Sequence, residues 1–160
     1  MHAAAPLLDS PPLVRFGLPE LVKGANPAAA ADFSETIPGD FYQRLLAVSV
    51  RLTPDANVAA RTLYIECLDP ESVRTAIFGA PVTVPASDTT DFFFSAWLGQ
   101  PDWEVASTVL VPIAPLLLPP THSWRITVNG VQAGDTLTRI RYWRERFYTT
   151  GQPPSPDAGY

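Results

Sequence analysis

Cysteine, glycine and charged residues are all scarce in this sequence. Its 160 residues include one cysteine, Cys67, so an internal disulfide cannot form. Asp, Glu, Lys and Arg make up 17% of the chain, against about 25% in typical globular domains. Because so few side chains are charged, we expect part of the surface to be covered by other protein subunits.

Long helices and membrane spans are also disfavoured. Eighteen prolines outnumber nine glycines, and a proline inside a helix costs roughly 3 kcal/mol. No apolar run approaches the ~20 residues that a membrane-spanning helix needs. The net charge of −5 and the pI near 4.8 argue against a protein built to neutralise nucleic-acid phosphates. The composition therefore favours extended structure, with neither a membrane nor a nucleic acid as partner.

Residues 1–32 are predicted to form an extended, Pro-rich N-terminal arm. Prolines recur at positions 6, 11, 12, 19 and 27 and leave no room for a helix of more than two turns. The region is nevertheless too apolar for a solvated tail, although a partly disordered leader is the alternative. We expect the following side chains to be buried on the protein's own body or on a neighbour: Leu7, Leu8, Leu13, Val14, Phe16, Leu18, Leu21 and Val22.

From Phe33 onward apolar and polar residues alternate, as in half-buried β-strands. Pro112 and Pro115 place the apolar stretch around them at a sheet edge or in a bulged crossover. Seven to nine short strands without a long helix predict an all-β fold, an antiparallel, jelly-roll-like β-sandwich over residues 33–149. A C-terminal tail is predicted for residues 150–160.

Two turn signals precede the last strand. Asn129-Gly130 is a strong hairpin signal, because both central positions of a type I′ turn need a positive φ. Gly134-Asp135 offers a second turn, in which Asp135 would bind nearby backbone N–H groups. We expect the chain to reverse near one of them and to continue as a β-strand. A helix is the alternative for that last segment, since its apolar residues at helical spacing are Leu137, Ile140, Trp143 and Phe147.

No catalytic, cofactor or metal site is expected. The histidines, His2 and His122, belong to no Cys/His/carboxylate cluster with metal-ligand spacing. Neither a phosphate-binding glycine loop nor a nucleophile elbow occurs. Carboxylates flank the aromatic strand of residues 90–98, but aspartates in loops commonly make turns. These carboxylates are Asp88, Asp91, Asp102 and Glu104.

Exposed aromatic and arginine side chains are the candidates for a binding surface. Trp124 is in phase with apolar neighbours and is expected in the core, whereas Trp97 and Trp103 are expected outside it. A carbohydrate- or receptor-binding module that uses these two tryptophans is one alternative. Arginine pairs bidentately with carboxylates and is enriched at protein interfaces. The candidate protein-interface residues are Leu13, Phe16, Leu18, Leu21, Trp97, Trp103, Arg139, Arg141, Arg144 and Arg146.

Residues 36–148 resemble small virion structural proteins of tailed bacteriophages. The resemblance consists of five features in order along the chain: an entry at Ile37-Pro38, an N-x-A-x-R strand at Asn57, Ala59 and Arg61, a turn at Leu118-Pro119, a segment from Val128 to Asp135 that ends in Gly-Asp, and a last strand with Glu145 and Phe147. None of these features is a catalytic signature.

The resemblance implies a non-enzymatic virion protein with a β-sandwich body. The first expectation is a capsid decoration or minor capsid protein that binds and stabilises the phage head through its sandwich and its arm. A neck or tail accessory protein is the alternative. The implied partners are other copies of the chain and a major capsid or other virion protein. Such a protein would be made in the host cytoplasm and would reside in the virion.

Overall fold

Ten β-strands and no helix make up the part of the chain that the computed structural model describes, residues 18–96 and 108–148. The strands are β1 (Leu18–Lys23), β2 (Phe33–Thr36), β3 (Phe41–Thr53), β4 (Thr62–Leu68), β5 (Arg74–Gly79), β6 (Thr90–Ser95), β7 (Thr108–Pro112), β8 (Leu117–Leu118), β9 (Ser123–Asn129) and β10 (Thr136–Tyr148).

The strands form two sheets. Sheet A has the order β1-β10-β3-β6-β7, and β8 pairs with the start of β3; sheet B has the order β2-β9-β4-β5. All neighbours are antiparallel except β6 and β7, which are parallel. The predicted all-β sandwich is therefore confirmed. Pro112 ends β7 at the edge of sheet A, where a residue without an N–H group interrupts no ladder.

Alternating side chains from both sheets build one hydrophobic core. Sheet A contributes Val48, Val50, Leu52, Phe92 and Phe94, and sheet B contributes Leu63, Ile65, Cys67, Trp124 and Ile126. Trp124 is fully buried, as predicted, and its ring lies 5.0 Å from that of Tyr142. Each large apolar side chain buried in this way contributes about 1.5–3 kcal/mol relative to an exposed one.

β3 and β10 are 13-residue strands whose pairing contains two irregularities. One lies at Arg139, which has a φ of 54°, so Leu137 and Ile140 both point inward although they are three residues apart. The helical spacing of Leu137 and Ile140 is thus the product of a β-bulge. The last segment is a strand, as expected, and the helical alternative is wrong.

Two features differ from the sequence-based prediction: where the first strand begins, and how β9 connects to β10. β1 occupies residues 18–23, which the sequence assigned to the arm, and it pairs with β10 as an edge strand. Asn129-Gly130 does not close a hairpin, because β9 and β10 lie in different sheets. Gly130 has a φ of 77°, and a Cβ there would lie 2.3 Å from the carbonyl oxygen of Ala60. The glycine is needed for this close approach.

The boundaries predicted for the arm, the body and the tail stay predictions.

Candidate functional site

A buried ion cluster lies where the chain enters β4 and β10. Arg61 is fully buried; its Nε and Nη2 donate to the two carboxylate oxygens of Asp135, each at 3.0 Å. Nη2 also donates to Asp55 Oδ1 at 2.6 Å. Nη1 donates to the carbonyl oxygens of Asn57 at 2.8 Å and Ala59 at 2.9 Å. All five guanidinium N–H donors thus have acceptors within the chain.

The Asp135 carboxylate is equally well satisfied. Besides Arg61, it accepts hydrogen bonds from the backbone amides of Asp55 and Gln132, both at 2.8 Å. Burial by itself would raise the pKa of Asp135, but these hydrogen bonds and the charge of Arg61 outweigh it and lower the pKa below its usual value. A carboxylate that is held ionised and accepts four hydrogen bonds is a structural anion rather than a general base.

This cluster explains why the sequence motif has its particular residues. The N-x-A-x-R segment wraps two carbonyl groups around its own arginine, and the distant Gly-Asp pair supplies the counter-charge. Gly134 is required there because a Cβ would lie 2.8 Å from Asp55 Cβ. The prediction that Asp135 binds nearby backbone N–H groups is confirmed at Gln132. Its pairing with Arg61, 74 residues away, was missed, because nothing local in the sequence links the two segments.

A second polar cluster connects the two sheets. Arg144 of β10 is buried, and its guanidinium binds Glu35 of β2 and Glu20 of β1. Glu35 also accepts a hydrogen bond from Trp124 Nε1 at 2.9 Å. The hydrogen bond from Arg144 lowers the pKa of Glu20, which is half-exposed. The charge of Arg144 is therefore occupied by partners within the chain.

The outer face of sheet A carries a groove of about 160 Å³, here called the sheet A groove. Strand pairing brings Leu21 beside Trp143 and Trp143 beside Ala47. Leu21 is 52% exposed and Trp143 is 40% exposed, whereas Ala47 is covered by its neighbours. The groove is lined by Leu21, Ala47, Ser49, Phe93, Arg141 and Trp143.

One cation, Arg141, lines the sheet A groove, and a second, Lys23, lies beside it on β1. Lys23 and Arg141 are opposite each other in the pairing of β1 with β10, and both are exposed. Within residues 18–96 and 108–148 neither forms an ion pair. An apolar depression with an aromatic wall and a positive rim suits a peptide that carries both apolar and acidic side chains.

The outer face of sheet B is different. Glu66 of β4 is buried between two arginines: Arg125 Nε donates to its Oε2 at 2.7 Å, and Arg74 Nη2 lies 2.6 Å from its Oε1. These ion pairs satisfy the charges of the three side chains within the chain. The outer face of sheet B thus carries a paired ionic cluster.

The candidate interface residues occupy several environments. Leu21 and Arg141 line the sheet A groove, and Leu18 begins β1. Arg139 is exposed at its bulge, Arg144 is buried in the second cluster, and the Arg146 guanidinium lies 4.5 Å from the centre of the Phe41 ring. Leu13, Phe16, Trp97 and Trp103 lie outside the described residues. Contact of any of these residues with a partner stays a prediction.

Sequence reasoning did not select Trp143 as a surface residue. Strand alternation gives a usable signal, because Tyr142 is buried and Trp143 must then point the opposite way. Ala47 and Phe93 could not have been found in the same way. They belong to the groove only because β3 and β6 lie next to β10 in sheet A.

The described ranges contain no group of three or more His, Cys, Asp and Glu side chains that could hold a metal ion. They also contain no helix long and apolar enough to cross a membrane. His122 Nδ1 lies 3.2 Å from the carbonyl oxygen of Pro120, within its own loop. Burial raises the pKa of the Cys67 thiol to about 11, so this cysteine is held as an unreactive thiol.

No family model and no curated protein matches this chain. Among solved structures, it is similar to a chain from the viral particle of infectious bursal disease virus, with 10% identity and a TM-score of 0.39 over 84% of this chain. A chain from the Gt strain of that virus has 11% identity and a TM-score of 0.40 over 96%. A chain from particles derived from the virus has 13% identity and a TM-score of 0.40 over 94%. This chain spans 32–38% of the length of these viral chains.

Proposed function

We propose that this chain is a non-enzymatic structural protein of a virus particle, a capsid decoration or minor capsid protein of the tailed-bacteriophage type. The observation that carries the proposal is the sheet A groove, where half-exposed Trp143 lies beside half-exposed Leu21 on the outer face of the sheet. Tryptophan and arginine are enriched at the centres of protein interfaces. The groove therefore suits a neighbouring protein, either another copy or a capsid subunit.

The buried ion cluster supports the same proposal. Arg61 and Asp135 belong to the segments in which this chain resembles phage virion proteins, and they bind each other inside the protein. Every N–H donor of Arg61 has an acceptor within the chain, so the motif stabilises loops and presents no reactive group to a substrate. A motif with a purely architectural role suits a structural protein.

Imaging of virus particles tests this proposal. Virions that carry a tagged copy of the chain should show it in the purified particle, and electron cryomicroscopy should place a β-sandwich on the head surface. Density at the neck or tail would change the proposed position. Absence of the chain from purified virions would overturn the proposed function.

A matched pair of variants tests the surface. Trp143→Ala should weaken binding to particles roughly 30-fold, the effect of losing an interface hot spot of about 2 kcal/mol. Ile77→Ala is the control, since Ile77 is 45% exposed and belongs to β5 of sheet B. Equal binding by both variants would show that sheet A does not make the contact.

A further inference from the structure

We propose that the sheet A groove is the docking site for residues 7–16 of a second copy of this chain. The inference rests on the proposed function, because it names one contact through which copies would assemble. Three observations support it: the chemistry of the groove, the composition of residues 7–16, and the direction in which β1 meets the preceding chain.

The groove has the chemistry of a peptide site. Its walls are the half-exposed side chains of Leu21 and Trp143 together with Phe93, and its floor is formed by Ala47 and Ser49. Exposed apolar surface of this kind on a soluble protein commonly marks a binding site. Aromatic-lined grooves bind extended, proline-containing peptides, because such peptides lose little conformational entropy on docking.

Residues 7–16, with the sequence LLDSPPLVRF, complement this groove. Five of the ten residues are aliphatic or aromatic, and Pro11 and Pro12 favour an extended backbone. Asp9 is the only acidic residue in the segment. Its carboxylate can pair with Arg141, which lines the groove, and with Lys23 beside it, neither of which has an ion pair among the described residues.

The direction of β1 favours a second copy over the same chain. β1 is paired with β10 from its first residue, Leu18, which lies opposite Arg146, and it runs toward Lys23 beside the groove. Chain that continues the line of β1 backwards from Leu18 therefore leads away from its own groove. Docking on the same chain would need a reversal that consumes the apolar residues closest to β1.

Cysteine cross-linking between differently tagged copies tests the inference. Cys67 is buried and its pKa is raised to about 11, so it stays unreactive in the folded protein. A chain with Leu13→Cys is mixed with a chain that carries Ser49→Cys in the groove, and the mixture is oxidised. We expect a disulfide between the two tags. The control partner carries Thr127→Cys on β9 of sheet B, and we expect no cross-link to it.

Two outcomes would overturn the inference. One is that Ser49→Cys gives no disulfide with Leu13→Cys, or gives no more of it than the Thr127→Cys control does. This comparison requires that each variant melts within a few degrees of the parent chain. The other is a chain carrying both Leu13→Cys and Ser49→Cys that forms the disulfide within itself at micromolar concentration, which would assign the groove to its own segment. If the protein is found in virions but the cross-link does not form, this inference is refuted and the proposed function is not. A cross-linked protein that is absent from virions refutes the proposed function alone.

Discussion

Replacing Asp135 by asparagine should destabilise the protein severely. The substitution preserves the size of the side chain but removes the charge that faces fully buried Arg61. One carboxylate oxygen becomes an NH₂ group, which turns toward two hydrogen-bond donors instead of accepting from them. Whichever oxygen is replaced, one of these donors is Arg61 and the other is the backbone amide of Asp55 or of Gln132.

The expected magnitude follows from these contacts. A hydrogen bond to a charged group contributes about 1.5–3 kcal/mol, so the loss of two gives about 3–6 kcal/mol. Removing one partner of a buried ion pair costs about 3–5 kcal/mol, in agreement with that range. For a domain of this size each kcal/mol lowers the melting temperature by about 2–4 °C. Asp135→Asn should therefore lower it by about 6–24 °C.

The assay is urea unfolding followed by tryptophan fluorescence, together with a thermal melt. Asp91→Asn is the matched control, because Asp91 pairs with Arg51 through hydrogen bonds of 2.7 and 2.6 Å while remaining 35% exposed. A solvent-screened pair of this kind contributes at most about 1 kcal/mol. If the two variants lost the same free energy of unfolding, the buried cluster would not stabilise the fold as described.

Three further outcomes are expected. The pKa of Asp135 is lower in the folded protein than its usual value of 3.8. The ionised Asp135 should therefore stabilise the fold above that pH, and this contribution should be lost as the pH falls through the folded pKa. In an acid titration, Asp135→Asn should lose unfolding free energy less steeply than the parent protein. Cys67 should react with a disulfide reagent at pH 8 far more slowly in the folded protein than in urea, and equal rates would contradict its burial. In a urea titration, Gly130→Ala should lower the free energy of unfolding by more than about 1 kcal/mol, because φ is 77° and the carbonyl group of Ala60 blocks the new Cβ. Gly39→Ala is the control and should be neutral, since no atom lies within 4 Å of its Cβ position.

Local alternation predicted the parts of the fold that depend on one strand at a time. Trp124 was correctly assigned to the core because it is in phase with Ile126 and Val128, and all three are buried. Pro112 correctly marked a sheet edge, because the missing N–H group is a local property. These interpretations hold because a strand exposes its two faces with a period of two, whatever its neighbours are.

The candidate site was less accessible to sequence reasoning. Arg144 was selected as an interface residue beside Arg141, yet strand alternation turns Arg144 inward to Glu35 and leaves Arg141 on the outer face. Trp143 was passed over, although alternation from Tyr142 places it on the outer face, where it forms an exposed wall of the sheet A groove.

By itself the sequence determined the alternation of the strands in the body, the scarcity of charge, and the presence of an apolar, proline-rich segment before residue 18. It also contained both halves of the Arg61–Asp135 pair, 74 residues apart. Only the tertiary structure decided that these halves meet, that β9 and β10 belong to different sheets, and that Leu21, Phe93 and Trp143 share one groove. Strand order and register arise from contacts between distant segments, and these contacts exist only when the two sheets pack around a common core.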